Sequence, residues 1–210
     1  MNIKSFAFNP FQENSFFVSD ETGEALIIDA GCYNETEVNT LSDYLEKNQL
    51  KPVKLLNTHC HIDHIVGVNL LKEKFKIPFA ASLGDKYLLD TAVQQAIIFG
   101  FSISETPTID ENIEEGTFTF GDSQLQVFAV PGHSMGSLAF YSEKDNFVIV
   151  GDVLFNGSIG RTDLPRGDYD TLIKSINSKL MVLPKETVVY PGHGPSTTIG
   201  KEHDTNPFLK

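Results

Sequence analysis

The chain has 210 residues, of which 40% are hydrophobic and 21% are charged, and its formal net charge is −12. This is ordinary globular composition, and the length suits one domain with a sizeable core. Nucleic acid and membrane surfaces are not expected as partners, because the acidic chain has no basic cluster to follow phosphates. The amino terminus lacks a signal-peptide pattern, no apolar run reaches membrane-spanning length, and two cysteines suit a reducing compartment, so we expect a cytoplasmic protein.

Apolar periodicity predicts that the first half consists of strands followed by helices. The elements, in chain order, are strands near 3–8, 15–19 and 25–29, a helix at about 34–47, a strand at 53–57, a second helix whose start holds Asp63 and His64, and a helical region near 83–99. Asn34 and Glu37 are spaced as a capping box for the first helix. The pattern leaves open whether the region 83–113 forms a lid.

The second half repeats this order. Its predicted elements are strands around 117–120, 124–130, 137–142 and 147–151, a helix at about 168–181 with Asp168 as its N-cap, and a strand over 188–190. In both halves a strand leading to an aspartate (Asp29, Asp152) is followed by a strand leading to a histidine (His59, His193). Since no linker separates the halves, we expect a single domain over 1–210 in which two sheets lie between helices.

Potential metal ligands concentrate in one short stretch, Thr58-His59-Cys60-His61-Ile62-Asp63-His64. His59 and His61 alternate, as on an extended segment, so their rings point to the same side and are able to share one ion. Asp63 and His64 are adjacent and must point elsewhere. Because a single tetrahedral site rarely takes four ligands from one stretch, the spacing indicates two neighbouring ions.

Three further candidate ligands come directly after apolar runs that have the pattern of buried strands. His133 and His193 each follow a Pro-Gly pair, and Asp152 follows Gly151. Glycine and proline let the chain turn sharply at these strand ends and bring the backbone close to an ion. Five of the six histidines fall in this pattern, which favours a metal site over separate structural roles.

These motifs together resemble the metallo-β-lactamase superfamily, and most closely its glyoxalase II (hydroxyacylglutathione hydrolase) branch. The matching pattern is Thr58-His59-x-His61-x-Asp63-His64 with His133, Asp152 and His193, and it extends to Phe11-Gln12-Glu13-Asn14, Ile28-Asp29-Ala30-Gly31, Gly160-Arg161-Thr162-Asp163 and Asn206-Pro207-Phe208. The resemblance covers nearly the whole chain. It implies a mixed α/β fold, the four-layer αββα metallo-β-lactamase sandwich, with the site at one rim where strand ends meet.

The resemblance also implies a ligand set for two divalent ions. It assigns His59, His61 and His133 to the first ion, Asp63, His64 and His193 to the second, and Asp152 as the bridge between them. Zinc is the first expectation, and this donor set also accepts iron or manganese. Two such ions stabilise hydroxide near neutral pH, so Asp63 and Asp152 are the expected catalytic carboxylates beside a metal-bound hydroxide. Asp63 is also placed to shuttle protons, but the family pattern favours ligation.

Three residues are expected around the ligands. Asp29 and Asp163 are candidates to accept a hydrogen bond from the second ring nitrogen of a ligating histidine, although Asp29 equally suits a turn with Ala30-Gly31. Arg161 is one of two arginines, both in the loop after Asp152. We expect its guanidinium to contact an anionic group of the substrate or to brace the site through Asp163. The alternative is that Arg161 is merely exposed.

The expected reaction is hydrolysis of a small-molecule thioester such as S-hydroxyacyl-glutathione. Full-length glyoxalase II enzymes carry a C-terminal helical segment that helps to hold glutathione, whereas this chain ends at Lys210, soon after His193, so we expect no separate glutathione-binding domain. Gly160-Arg161-Thr162-Asp163 also stands where those enzymes place Lys and Tyr contacts. β-Lactam hydrolysis is not expected, because neither Cys32 nor Cys60 occupies the position of the cysteine that commonly serves the second ion. The acyl group, the thiol and the oligomeric state stay open.

Two other interpretations remain. Two stretches, Gly160-Arg161-Thr162-Asp163 and Thr58-His59-Cys60-His61, also resemble persulfide dioxygenases of this fold. By this resemblance, one iron would be held through the residues that correspond to His59, His133 and Asp152. Pro191-Gly192-His193-Gly194 and the lack of a fused sulfurtransferase domain favour the hydrolase. The second alternative is a non-enzymatic metal protein, as in diiron electron-transfer relatives, but those carry Glu where this chain has His61.

Overall fold

The computed structural model describes every residue from Met1 to Lys210, and its strands form two six-stranded sheets. The first sheet consists, in spatial order, of β1 (Asn2–Phe8), β2 (Glu13–Ser19), β3 (Glu24–Ile28), β4 (Lys51–Leu56), β5 (Phe79–Ala81) and β6 (Glu111–Asn112). β1, β2 and β3 pair antiparallel, and β3 to β6 pair parallel.

The second sheet contains the strands of the second half. They are β7 (Gly116–Phe120), β8 (Ser123–Ala129), β9 (Leu138–Ser142), β10 (Phe147–Gly151), β13 (Val188–Pro191) and β14 (Thr197–Thr198), in the spatial order β14-β13-β10-β9-β8-β7. A separate hairpin is formed by β11 (Leu154–Phe155) and β12 (Ser158–Ile159). Only the pair of β10 and β13 is parallel in this sheet.

Helices cover the outer face of each sheet. On the first sheet these are α1 (Glu35–Lys47), α2 (Ile62–Ile65), α3 (Val68–Phe75), α4 (Lys86–Leu89) and α5 (Ala92–Phe99), and on the second sheet α6 (Tyr169–Ser175) and α7 (Ile199–Thr205). None of these helices is long and apolar enough to cross a membrane.

The hydrophobic core consists of three clusters: one between the first sheet and its helices, one between the two sheets, and one between the second sheet and its helices. A single strand contributes to two of these clusters, because its consecutive residues point to opposite faces of the sheet. In β2, Phe17 packs under the first set of helices, while Phe16 packs between the sheets. In β10, Ile149 packs between the sheets and Val148 packs under the second set of helices. Both faces of these strands are buried, which explains their continuous apolar runs. The predicted four-layer αββα sandwich is confirmed.

Two predicted helices are shorter than expected. The second helix is divided into α2 and α3 at Gly67, whose N–H donates to the Ala30 carbonyl at 2.8 Å. A side chain at Gly67 would collide with the Cys32 carbonyl, so the chain passes too close to the exit of β3 for one continuous helix. The last predicted helix ends as α6 at Ser175 and continues as a π-helical turn over Ile176–Leu180.

The first helix begins where the capping pattern predicts. Asn34 accepts a hydrogen bond from the Glu37 N–H at 2.9 Å. The Glu37 carboxylate does not return the bond to Asn34, and accepts instead from the N–H groups of Tyr33 at 2.9 Å and Asn9 at 3.0 Å. The cap therefore also anchors the loop after β1 to the helix.

Candidate metal centre

Four strands from both sheets end at the same rim and lead to the predicted ligands. β4 leads to the 58–64 stretch, and β8, β10 and β13 lead to His133, Asp152 and His193. The Leu138 N–H donates to the Thr58 carbonyl at 2.7 Å, which joins the two sheets there. Gly151 has a φ of +52°, and a side chain at this position would collide with the Thr58 hydroxyl. Glycine is therefore needed for β10 to deliver Asp152 to this rim.

The structure brings all seven predicted ligands together. Their donor atoms form three overlapping groups, each spanning no more than 4.8 Å: His59, His61 and His133; His59, His64 and Asp152; Asp63, His64 and His193. The first and third are the two ligand sets implied by the family resemblance. Asp152 lies between them, with Oδ1 3.5 Å from His64 Nε2 and Oδ2 3.7 Å from His133 Nε2.

Backbone carbonyls orient two of the histidines. His133 Nδ1 lies 2.8 Å from the Arg161 carbonyl oxygen, and His193 Nδ1 lies 3.0 Å from the Phe11 carbonyl oxygen. A carbonyl only accepts, so Nδ1 of each ring carries a proton and Nε2 faces the site. His61 differs, because its Nδ1 faces the site and lies 2.8 Å from His133 Nε2.

Asp29 orients the other two histidines. Its carboxylate accepts from His64 Nδ1 at 3.0 Å and from the Thr58 N–H and hydroxyl at 2.7 Å each. The Thr58 hydroxyl, having donated its proton to Asp29, accepts in turn from His59 Nδ1 at 3.1 Å. Asp29 thus contacts a proposed ligand directly, and its φ of +59° also makes it a turn residue, so both interpretations of the sequence apply.

Unpaired buried atoms show that this donor set fits metal ions. His59 Nε2, His64 Nε2 and Asp152 Oδ1 are buried and have no hydrogen-bond partner. Buried polar atoms are almost always paired, and these three belong to one group of converging donor atoms. Two divalent cations that share Asp152 would satisfy all three, one at His59 and the other at His64.

The electrostatics of the cluster also suit a cation. Burial, with the nearby His133 ring, lowers the pKa of His61 to about 3, and burial with neighbouring rings lowers the pKa of His59 well below its usual value, so both rings are neutral. Burial would raise the pKa of Asp152, but His64 and the other histidines outweigh it and lower that pKa. Burial would also lower the pKa of His64 and His193, but the nearby carboxylates Asp63 and Asp152 outweigh it and raise the pKa of both rings. A bound cation would take the place of the extra proton on each of these two rings.

Asp85 is a functional candidate that sequence reasoning missed. Its buried carboxylate precedes α4 and accepts from the Cys60 N–H at 3.0 Å, the Ser134 hydroxyl at 2.8 Å and the Gly136 N–H at 2.6 Å. It therefore fastens the loop that carries His59 and His61 to the loop that follows His133. Spacing gives no signal for this contact, because Asp85 looks like an ordinary helix-start residue.

Glu13 is a second residue whose role was missed, although it belongs to a quoted motif. It is fully buried, accepts from the Ser15 hydroxyl at 2.8 Å, and lies 3.7 Å from His64 Nδ1. Burial raises its pKa well above the usual value. Glu13 thus lies behind the His64 ring, beside Asp29.

The structure corrects the expectation for Asp163. Its exposed carboxylate accepts two hydrogen bonds from the Arg161 guanidinium, both at 2.7 Å, which lower the pKa of Asp163 to about 2. Asp163 does not reach a ligand, because the Arg161 carbonyl already accepts the hydrogen bond from His133. The other arginine, Arg166, stacks on the Tyr87 ring at 4.2 Å from its centroid.

A cavity of about 420 Å³ opens onto the cluster, within the size range of small-molecule sites. Five proposed ligands form its floor: His61, Asp63, His133, Asp152 and His193. The walls come from α4, α5, Phe11, Ile62 and the loop that contains Arg161, Leu164 and Pro165. The helices of the region 83–113 therefore form part of the cavity wall.

The chain belongs to the metallo-β-lactamase superfamily, whose family model matches residues 8–193. It is 37% identical over 217 residues to the hydroxyacylglutathione hydrolase GloC of Haemophilus influenzae, and this similarity covers 100% of the chain and 98% of GloC. The fold of this superfamily binds metals, and relatives of the chain are named as hydrolases.

Solved structures show the same fold. BLEG-1, described as a B3 metallo-β-lactamase, is 38% identical and superposes with a TM-score of 0.91 over 100% of both chains. TTHA1623 in a di-iron-bound form is 39% identical, with a TM-score of 0.88 over 98% of this chain and 100% of that chain. ETHE1 from Myxococcus xanthus is 25% identical, with a TM-score of 0.80 over 99% of this chain and 84% of that chain.

Proposed function

We propose that this chain is a metal-dependent hydrolase that holds two divalent ions and cleaves a small-molecule thioester such as S-hydroxyacyl-glutathione. The observation that carries the proposal is the position of Asp152. One carboxylate oxygen faces His64 at 3.5 Å and the other faces His133 and His193, each at 3.7 Å, so a single residue serves both groups of ligands. Similarity to GloC over the whole chain supports a thioester substrate.

Each half of the cluster is suited to one ion. His59, His61 and His133 would hold the first, Asp63, His64 and His193 the second, with Asp152 shared. Zinc is our first choice, iron is the main alternative in view of the di-iron form of TTHA1623, and manganese also suits this donor set. Such ions, when bound, polarise a carbonyl and lower the pKa of water towards about 7.

The surrounding residues prepare the site for a carbonyl substrate. Asp63 and Asp152 both line the cavity, so they are the carboxylates nearest the reacting group. Asp29 and the carbonyl of Arg161 fix the rings of His64 and His133, which keeps the donor atoms in place. The guanidinium of Arg161 bonds to Asp163 through Nε and Nη2, which leaves Nη1 for an anionic group of the substrate.

The test is hydrolysis of S-lactoylglutathione by the metal-loaded chain. We expect thioester cleavage that stops when the metal is chelated and returns when zinc is added. Asp43→Asn is a suitable control because it changes an exposed carboxylate on α1 that does not line the cavity, and it should keep the activity that Asp152→Asn loses. A fully loaded chain that leaves thioesters intact would refute the proposal.

The alternative function is that of a persulfide dioxygenase with one iron on His59, His133 and Asp152. The structural similarity to ETHE1 supports this alternative. Oxygen uptake by the iron-loaded chain with glutathione persulfide tests this reaction. Hydrolysis of a β-lactam should be measured alongside these two reactions, because BLEG-1 matches this chain over its full length. Oxygen uptake or β-lactam opening without thioester cleavage would reassign the chemistry while leaving the metal centre in place.

A further inference from the structure

One wall of the cavity carries large apolar side chains that the core does not bury. Ile98 of α5 is 76% exposed, Phe99 is 47% exposed and Phe11 is 42% exposed, and all three line the cavity. We call these three residues the apolar wall. We infer, on the basis of the proposed thioester hydrolysis, that the apolar wall binds the acyl chain of the substrate. The chain therefore prefers an extended hydrocarbon acyl group to a short hydroxyacyl group such as lactoyl.

Aromatic contacts hold the two rings of the apolar wall in place. The Phe11 ring meets Phe99 edge-on, with centroids 5.8 Å apart, and it packs against the buried Phe101 at 5.5 Å. Aromatic pairs in these arrangements attract beyond their apolar contact. The exposed rings therefore present a fixed surface, anchored on Phe101, to whatever enters the cavity.

The apolar wall begins directly at the metal centre. The Phe11 carbonyl accepts from His193 Nδ1 at 3.0 Å, so the residue that orients a proposed ligand also supplies the first ring of the wall. Ile62, which also lines the cavity, lies between His61 and Asp63 in sequence. An acyl chain attached to a carbonyl above the ligands therefore has apolar surface beside its first carbons.

Charge decides which half of a thioester lies on the apolar wall. Among the residues that line the cavity, Arg161 is the only lysine or arginine. Its loop, not α5, is therefore the place for a thiol that carries carboxylates, such as glutathione. The uncharged acyl half then lies against Ile98 and Phe99, where a lactoyl group would leave most of the wall in water.

The sequence provides a matched control on the same helix. Ile97 is 74% exposed, nearly the same as Ile98, but it does not line the cavity. If the apolar surface of α5 served only to pair with a second copy of the chain, both isoleucines would be needed. If it binds substrate, only Ile98 matters.

The first test measures kcat/KM for glutathione thioesters with lactoyl, acetyl, butanoyl, hexanoyl and octanoyl groups. For the metal-loaded wild type and Ile97→Ser we expect a rise of up to about fourfold for each methylene that is buried. The rise should flatten in Ile98→Ser. Equal rates across the series in the wild type would overturn the inference, as would a length dependence that appears only when the hydrocarbon is placed on the thiol.

The second test measures binding and does not depend on turnover. Calorimetry of butanoate, hexanoate and octanoate with the metal-loaded chain should show affinity rising with length in the wild type and Ile97→Ser, and rising less in Ile98→Ser. If the chain cleaves no thioester but shows this pattern of affinities, the proposed reaction is refuted, while binding of a hydrocarbon chain by the apolar wall is supported. Equal losses in both variants, together with dissociation of an oligomer in sedimentation, would assign the surface to a second copy and overturn the inference.

Discussion

The floor and the apolar wall of the cavity are built in opposite ways. On the floor, the buried His133 ring donates a hydrogen bond from Nδ1 to the Arg161 carbonyl. Beneath the floor, the buried His64 ring is held by a hydrogen bond from its Nδ1 to the Asp29 carboxylate. On the wall, Ile98 and Phe99 are exposed apolar side chains on a short helix. The difference fits the division of labour that we propose, in which the pre-organised floor would perform the chemistry and the wall would select the substrate.

The largest effect should come from the centre of the floor. Asp152→Asn removes the negative charge that both ligand groups share, so we expect loss of metal and a fall in thioester hydrolysis of more than about 100-fold, beyond what outer contacts contribute. Elemental analysis per chain, paired with the rate, measures both. Asp43→Asn, at an exposed carboxylate of α1, is the control for the same chemical change at the surface. Retention of two ions by Asp152→Asn would break the picture of a shared carboxylate.

The next effect should come from beneath the floor. Asp29→Asn keeps the shape of the residue, and asparagine tolerates the positive φ found there, so any loss reflects the hydrogen bonds to His64 and Thr58. We expect metal affinity to fall by about 10- to 100-fold, measured by competition with a chromophoric chelator. Unchanged affinity would mean that Glu13, on the same side of the His64 ring, is sufficient to orient it.

A third effect tests whether the floor is fastened between its two loops. Asp85→Asn replaces an acceptor of three hydrogen bonds with an amide that must turn a donor towards one of the existing donors. We expect the free energy of unfolding of the metal-free chain to fall by about 1–3 kcal/mol, measured with urea. Asp90→Asn, at an exposed carboxylate nearby, should stay within about 0.5 kcal/mol of wild type. An equal change in the free energy of unfolding in both variants would mean that Asp85 does not fasten the two loops.

The smallest effect should come from the rim. Arg161→Ala should raise KM for glutathione thioesters by at most about fivefold, because its guanidinium is exposed and shared with Asp163, and metal content should stay intact. Arg166→Ala is the matched control, since Arg166 stacks on Tyr87 and does not line the cavity. Steady-state kinetics give KM for the wild type and both variants. An unchanged KM in Arg161→Ala would mean that Arg161 has no role in substrate binding.

The contrast between floor and wall also explains what the sequence was able to predict. The floor was predictable because histidines are rare in this chain and their spacing after strand ends is specific to metal sites. The four-layer αββα sandwich was implied by the family resemblance, and the repeated order of strands and helices in the two halves agreed with it. The strands β5, β6, β11, β12 and β14 were missed because two or three residues show no alternation.

Contacts between distant segments account for the remaining misses. Asp85 reaches Cys60 and Ser134 across the fold, and no local pattern reports that meeting. Ile98 and Phe99 were equally compatible with a buried helix face, since periodicity does not distinguish a core residue from one that faces a cavity. Asp163 was a candidate to accept a hydrogen bond from a ligating histidine, whereas the carbonyl of Arg161 makes that contact.

Anomalous diffraction from crystals of the metal-loaded chain tests the central claim most directly. We expect two peaks within the cluster, one contacted by His59, His61 and His133, the other by Asp63, His64 and His193, with Asp152 between them. A single peak that leaves one of these groups without an ion, or peaks away from the cluster, would contradict the account.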